Sequence, residues 1–109
     1  MSKQDQINSI ERNVKGAREV KAMATALERL HTNRDFRAVI KAGYFESEAV
    51  RLVHLRGDPS FQTPERQADI LKQIDAISAL GQYFLTLQMK AGLADKEIEE
   101  GEAVLDELR

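Results

Sequence analysis

The segment from Leu30 to Pro64 constrains the fold more than any other part of the chain. It holds three of the four Phe, one of the two Tyr, both His, both Pro and two of the six Gly. On either side lie long stretches with helical, polar-rich patterning. Aromatic side chains carry much of a small core's burial, so a chain with its aromatics gathered in one block should organise its core there. The pattern therefore predicts an all-α protein: two long helices flanking a short helical corner, with a short acidic helix at the C-terminus.

At 109 residues the chain is sized for one domain. A chain this short buries a limited fraction of its surface, so extended helices should need a partner to cover part of their apolar surface. The expected organisation is a single helical domain over 1–109. Residues 1–25 form a partner-dependent helix, 26–92 the core, and 93–109 the acidic C-terminal helix.

The first helix is expected from about Lys3 to Leu30. Ile7, Ile10, Val14 and Ala17 follow a 3-4-3 spacing, a narrow seam of coiled-coil type. Val20, Met23 or Ala24, Leu27 and Leu30 continue it only with a stutter after Ala17. The early seam is thin in large side chains, and Gly16 weakens it further. Its first turns should be ordered by another chain.

A second helix is expected over Arg34–Ala42, with Asn33 as N-cap and Phe36, Val39 and Ile40 on one face. Gly43 in the left-handed conformation should end it, turning Tyr44 and Phe45 inward. A third helix should reach Arg56 and be the most buried, because Ala49, Val50, Leu52, Val53 and Leu55 cover much of its circumference. Gly57-Asp58-Pro59-Ser60 reads as a turn, and Thr63-Pro64-Glu65 as a helix start.

The fourth helix should run from Pro64 to about Ala91, with Gly81 on its core face marking close approach of another backbone. Gly92 is then a C-cap or bend. A fifth helix begins near Asp95, with Ile98, Gly101, Leu105 and Leu108 in a second 3-4-3 seam. Two heptads are too short to be stable alone, so this tail either continues helix four or packs back on helix one. The expected core is Phe36, Tyr44, Phe45, Leu52, Val53, Phe61, Ile74, Ile77 and Phe84.

Charge is graded along the chain. Residues 1–56 carry eleven Lys/Arg against seven Asp/Glu, whereas residues 95–109 carry two against seven. Such a gradient allows attraction between copies. Arg12, Lys15, Arg18 and Lys21 form a basic stripe at three-residue spacing, diluted by Glu11 and Glu19. That stripe could meet phosphates, although no compact helix-turn-helix spacing accompanies it.

The residue types needed for chemistry are sparse. His31 and His54 are the only two His and fall on different helices. There is no Cys, so no thiolate metal site and no Cys nucleophile. No Gly-rich phosphate loop, nucleophile elbow or dinucleotide fingerprint occurs. The expectation is a protein without enzymatic activity and without a cofactor. The N-terminal MSKQDQINSI lacks the apolar stretch of a secretory signal, and no apolar run approaches the ~20 residues of a membrane helix. A soluble protein of the cytoplasm, with no membrane partner, is expected.

Several runs carry a resemblance: Leu27-Glu28-Arg29-Leu30, Asn33-Arg34-Asp35-Phe36-Arg37, Gly43-Tyr44-Phe45 and Glu48-Ala49-Val50-Arg51-Leu52-Val53. With Asp58-Pro59-Ser60, Thr63-Pro64-Glu65-Arg66-Gln67, Ile74-Asp75-Ala76-Ile77 and the closing Glu102–Leu108 stretch, they cover roughly residues 25–108. They resemble a family of small helical proteins of tailed bacteriophages, from the virion structural cluster. The resemblance implies a virion component or assembly factor near capsid, portal or tail, present in the host cytoplasm during assembly. It supplies no active-site residues.

The expected role is thus a non-enzymatic structural or assembly protein that packs in multiple copies against itself and other virion proteins. Its docking seams would be Ile7, Ile10, Val14 and Ala17 at one end and Ile98, Leu105 and Leu108 at the other. The alternative is a small early regulatory binder that inhibits a host or phage protein, or binds nucleic acid through the first helix.

Overall fold

In the computed structural model, residues 2–109 are described, and they are almost entirely helical with no strand among them. The chain is all-α. Helix α1 spans Lys3–Thr32 and α2 the single turn Arg34–Phe36. A π-helical run follows over Arg37–Glu48, then α3 over Ala49–Gly57. A 3-10 turn covers Pro59–Phe61, and α4 spans Pro64–Leu108.

The breaks between helices have local causes. The Asn33 side chain, in extended backbone, accepts a hydrogen bond from the Phe36 N–H at 2.9 Å, capping α2 as expected. The Asp58 side chain accepts from the Ser60 N–H at 2.8 Å and sets the 3-10 turn. Thr63 Oγ1 accepts from the Arg66 N–H, and Pro64 is the first residue of α4, where its missing N–H leaves no intrahelical bond unmade.

Two expected breaks do not occur. No glycine or other described residue has positive φ. Gly43 lies inside the π-helical run, whose ends pass into α2 and α3 through right-handed helical dihedrals at Phe36, Arg37, Glu48 and Ala49. The corner expected at Gly43 is therefore a helix of wider winding. A Cβ on Gly43 would lie 3.1 Å from the carbonyl oxygen of Ala38, five residues earlier, so the small residue accommodates the π turn. Gly92 is likewise no stop: α4 runs through it for 45 residues, and the acidic tail is the end of α4. Gly57 closes α3 without a left-handed conformation, and the chain turns at Asp58 instead.

The molecule divides into two compact units. One comprises the chain up to Glu28 with Leu85–Arg109, and the other Arg29–Phe84. The second unit has a core of Leu52, Ile70 and Ile77, against which Tyr44, Phe45, Ala49, Leu55, Phe61 and Ile74 pack. The rings of His31, Phe36, Phe84, Phe45 and Tyr44 follow one another at centroid distances of 5.7–6.1 Å. These separations suit edge-to-face and tilted aromatic contacts. The aromatic block lines one core, whose enclosed residues are Leu52 from the block and Ile70 and Ile77 from α4; seven of the ten buried hydrophobic residues lie in the first unit, outside the block expected to hold the core.

Within that unit, α3 is less buried than its composition suggests. Only Leu52 is enclosed, and Val53, expected in the core, is 64% exposed along with Val50. One row of a short helix faces the core, and the remaining valines lie outside it. Gly81 meets the Phe45 ring edge at ordinary contact distance, 3.6 Å from a built Cβ, and no backbone atom comes close. The approach expected there is that of a side chain.

Candidate interaction surface

The first unit is an antiparallel helical hairpin built from the two seams the sequence displays. Along α1 the shielded positions are Ile7, Ile10, Val14, Ala17, Val20, Ala24 and Leu27. Along the end of α4 they are Leu87, Ala91, Ala94, Ile98, Gly101, Leu105 and Leu108. Three ion pairs fix the direction: Glu11 with Arg109, Arg18 with Glu102, and Lys21 with Asp95. As the number on α1 rises, that on α4 falls.

This arrangement corrects the reading of the seams as sites for another chain. Ile7, Val14, Ala17 and Leu105 are buried, and Ile10, Ile98 and Leu108 are half-buried, all within one chain. The seams are thin because the helices lie close. A Cβ on Gly101 would fall 2.5 Å from Cγ2 of Val14 and 3.5 Å from Cγ2 of Ile10. Ala17, Ala24, Ala91 and Ala94 continue the small-residue pattern on both helices. Few large side chains are needed where backbones approach this nearly. The seam positions on α1 step by three twice in succession, from Val14 through Ala17 to Val20, before four-residue steps resume. That phase shift is where continuity of the seam was expected to need an adjustment.

The basic stripe is divided by the same geometry. Arg18 and Lys21 pair with acids of α4, whereas Arg12 and Lys15 have no ion-pair partner among the described residues. The paired side chains are about half exposed, so each pair contributes on the order of 0–1 kcal/mol. Their larger effect is to fix the register of the hairpin; between the Glu11–Arg109 and Arg18–Glu102 pairs an open cleft of roughly 420 Å³ reaches Val14 and Leu105. The opposite flank carries Gln6, Ser9 and Asn13 from α1 and Glu97, Glu100 and Val104 from α4, around two shallow clefts.

In the second unit, Arg34, Arg37 and Lys41 border an open cleft of roughly 500 Å³ floored by Ala38 and Ala42, with Glu46 at its edge. Nearby, Glu48 and Arg51 pair one turn apart. The hydrogen bond from Arg51 is the main cause holding the Glu48 carboxyl below its usual value, and the same contact raises Arg51. Both groups are open to solvent, so the pair orders the surface and adds little stability.

His31 sits in the last turn of α1 with its ring against Phe36 and Phe84, and His54 is exposed on α3. Among the described residues no group of three His, Cys, Asp or Glu is placed to hold a metal ion. No described helix is long and apolar enough to cross a membrane.

What the sequence reading missed is the outer apolar surface. Leu85, Met89 and Leu93 on α4 and Met23 on α1 are exposed in the first unit; Leu30, Val39, Val50 and Val53 are exposed in the second. The four-residue spacing of Leu85, Met89 and Leu93 was visible in sequence. It was masked by the break expected at Gly92, which separates Met89 from Leu93. Comparison with protein-family models, with characterised proteins and with solved structures finds no match for the chain.

Proposed function

We propose that the chain is a non-enzymatic structural or assembly protein of a tailed-phage particle, acting in several copies and through helix packing. The observation that carries the packing role is the set of large apolar side chains left outside both units. Met89, Leu93 and Val53 are each about two-thirds exposed. On α3, Val50 and Val53 stand one turn apart, as do Met89 and Leu93 on α4. Neighbouring apolar residues in rows, rimmed by charge, mark surfaces that another protein covers. The phage setting is supported by the resemblance along residues 25–108.

The partners are other copies of the chain and neighbouring virion proteins, and the mode is packing of apolar helix faces. Nucleic-acid binding through α1 is less favoured, because two of the four stripe cations are already neutralised by the chain's own acids. The test is composition. Particles from the phage that encodes the chain should contain it at a fixed stoichiometry, measured by quantitative mass spectrometry. Absence from both particles and assembly intermediates would contradict the proposal.

A further inference from the structure

The outer face of α4 in the first unit carries the largest uncovered apolar side chains of that unit. Leu85, Met89 and Leu93 are 47%, 65% and 66% exposed. Residues four apart on an α-helix form one ridge, and eight residues at 1.5 Å each make this ridge about 12 Å long. Past Leu93 the exposed positions of α4 turn charged: Asp95, Lys96, Glu97, Glu99 and Glu100. The apolar row is thus bounded, with an acidic stretch at one end.

The ridge reads the same in both directions. Met89 stands at its centre with a leucine four residues away on each side. A two-fold axis through Met89 therefore sets apolar side chain against apolar side chain along the whole row, in an isologous contact. Antiparallel pairing about Met89 sets Leu85 of one copy against Leu93 of the other, and Met89 against Met89. The unbranched thioether suits a central position that must pack against its own copy.

Charge selects antiparallel over parallel. A parallel, in-register pair would stack Lys90 on Lys90 and run the two acidic tails side by side, each with seven Asp/Glu over residues 95–109. Like charges directly opposed are destabilising. The antiparallel pair places Lys90 opposite the amide of Gln88 and sends the two tails in opposite directions.

We infer that the Leu85-Met89-Leu93 ridge of α4 docks a second copy of this chain, antiparallel, with the two-fold axis at Met89. The inference names the surface for the self-association proposed above and rests on that reading.

The cysteine-free sequence makes the geometry testable. Sedimentation of the parent should give twice the 12.3 kDa of one chain. The double variant Met89→Asp, Leu93→Asp should shift to the monomer mass with its helical content retained, because both residues are exposed within the chain. Under mild oxidation Met89→Cys should convert fully to a disulfide-linked dimer, since residues on the axis meet their own copies. Leu85→Cys and Leu93→Cys should stay mostly unlinked alone and link when mixed. A parent dimer in which Met89→Cys links no better than Ser9→Cys would overturn this interface while leaving self-association standing. Self-linking of Leu85→Cys would overturn the antiparallel direction. A parent that stays monomeric at all concentrations would overturn both the interface and the multi-copy reading.

Discussion

Gly101 shows how one missing side chain sets the spacing of two helices. A methyl group there would overlap the branched side chain of Val14, which is itself buried. Gly101→Ala gains helix propensity but overpacks the seam, and overpacking of this kind costs about 1–3 kcal/mol. Gly16 and Gly81 are the controls. Nothing lies near a Cβ at Gly16, and at Gly81 the Phe45 ring is in ordinary contact. Replacing either by Ala should stabilise by up to about 1 kcal/mol. In thermal unfolding, Gly101→Ala should melt below the parent, and Gly16→Ala and Gly81→Ala above it. A similar contrast separates neighbours on α3. Leu52 is the most enclosed side chain of the second unit's core, so Leu52→Ala should cost about 2–5 kcal/mol. Val53→Ala should stay within about 0.5 kcal/mol of the parent, as exposed substitutions do. Equal losses at the two positions would show that Val53 is covered after all.

At the scale of elements, caps with a side-chain mechanism were legible in the sequence, and glycine stops were not. Asn33 and Thr63-Pro64 act where their capping chemistry places them, whereas the Asp58 cap lies in a turn read from Gly57 and Pro59. Gly43 and Gly92 do not end helices. Glycine is only a weak local signal, and tertiary packing on either side carries the helix across it. The π-helical run had no advance signature, because its distinguishing feature is winding and not composition. Each 3-4 seam was visible, but spacing cannot say which surface covers it. Thinness suggested a missing partner chain, whereas it reflects close approach between the chain's own helices. Continuity of α4 has a direct consequence. Gly92→Pro removes a hydrogen bond inside the helix and clashes with the preceding turn, at a cost of about 3 kcal/mol or more. Circular dichroism and thermal unfolding should both register the loss. A harmless Gly92→Pro would restore the expected two-helix reading of residues 64–108.

At the scale of the molecule, the surfaces the chain covers by itself are distinct from those it leaves exposed. The two seams and the charges of opposite sign that accompany them are used inside one chain, in the first unit's hairpin. The outer apolar rows stay uncovered within the chain, and the proposed function has copies and neighbours cover them. Because the hairpin's ion pairs are exposed, salt should weaken it only slightly, and its apolar seam should supply most of its stability. Native-state hydrogen exchange on a proven monomer, such as the Met89→Asp, Leu93→Asp variant, tests this division most directly. The amides from Ile7 to Leu27 and from Ala94 to Leu105 should be strongly protected in that monomer. Amides in those two segments that exchange freely in the monomer and become protected only on assembly would contradict this division.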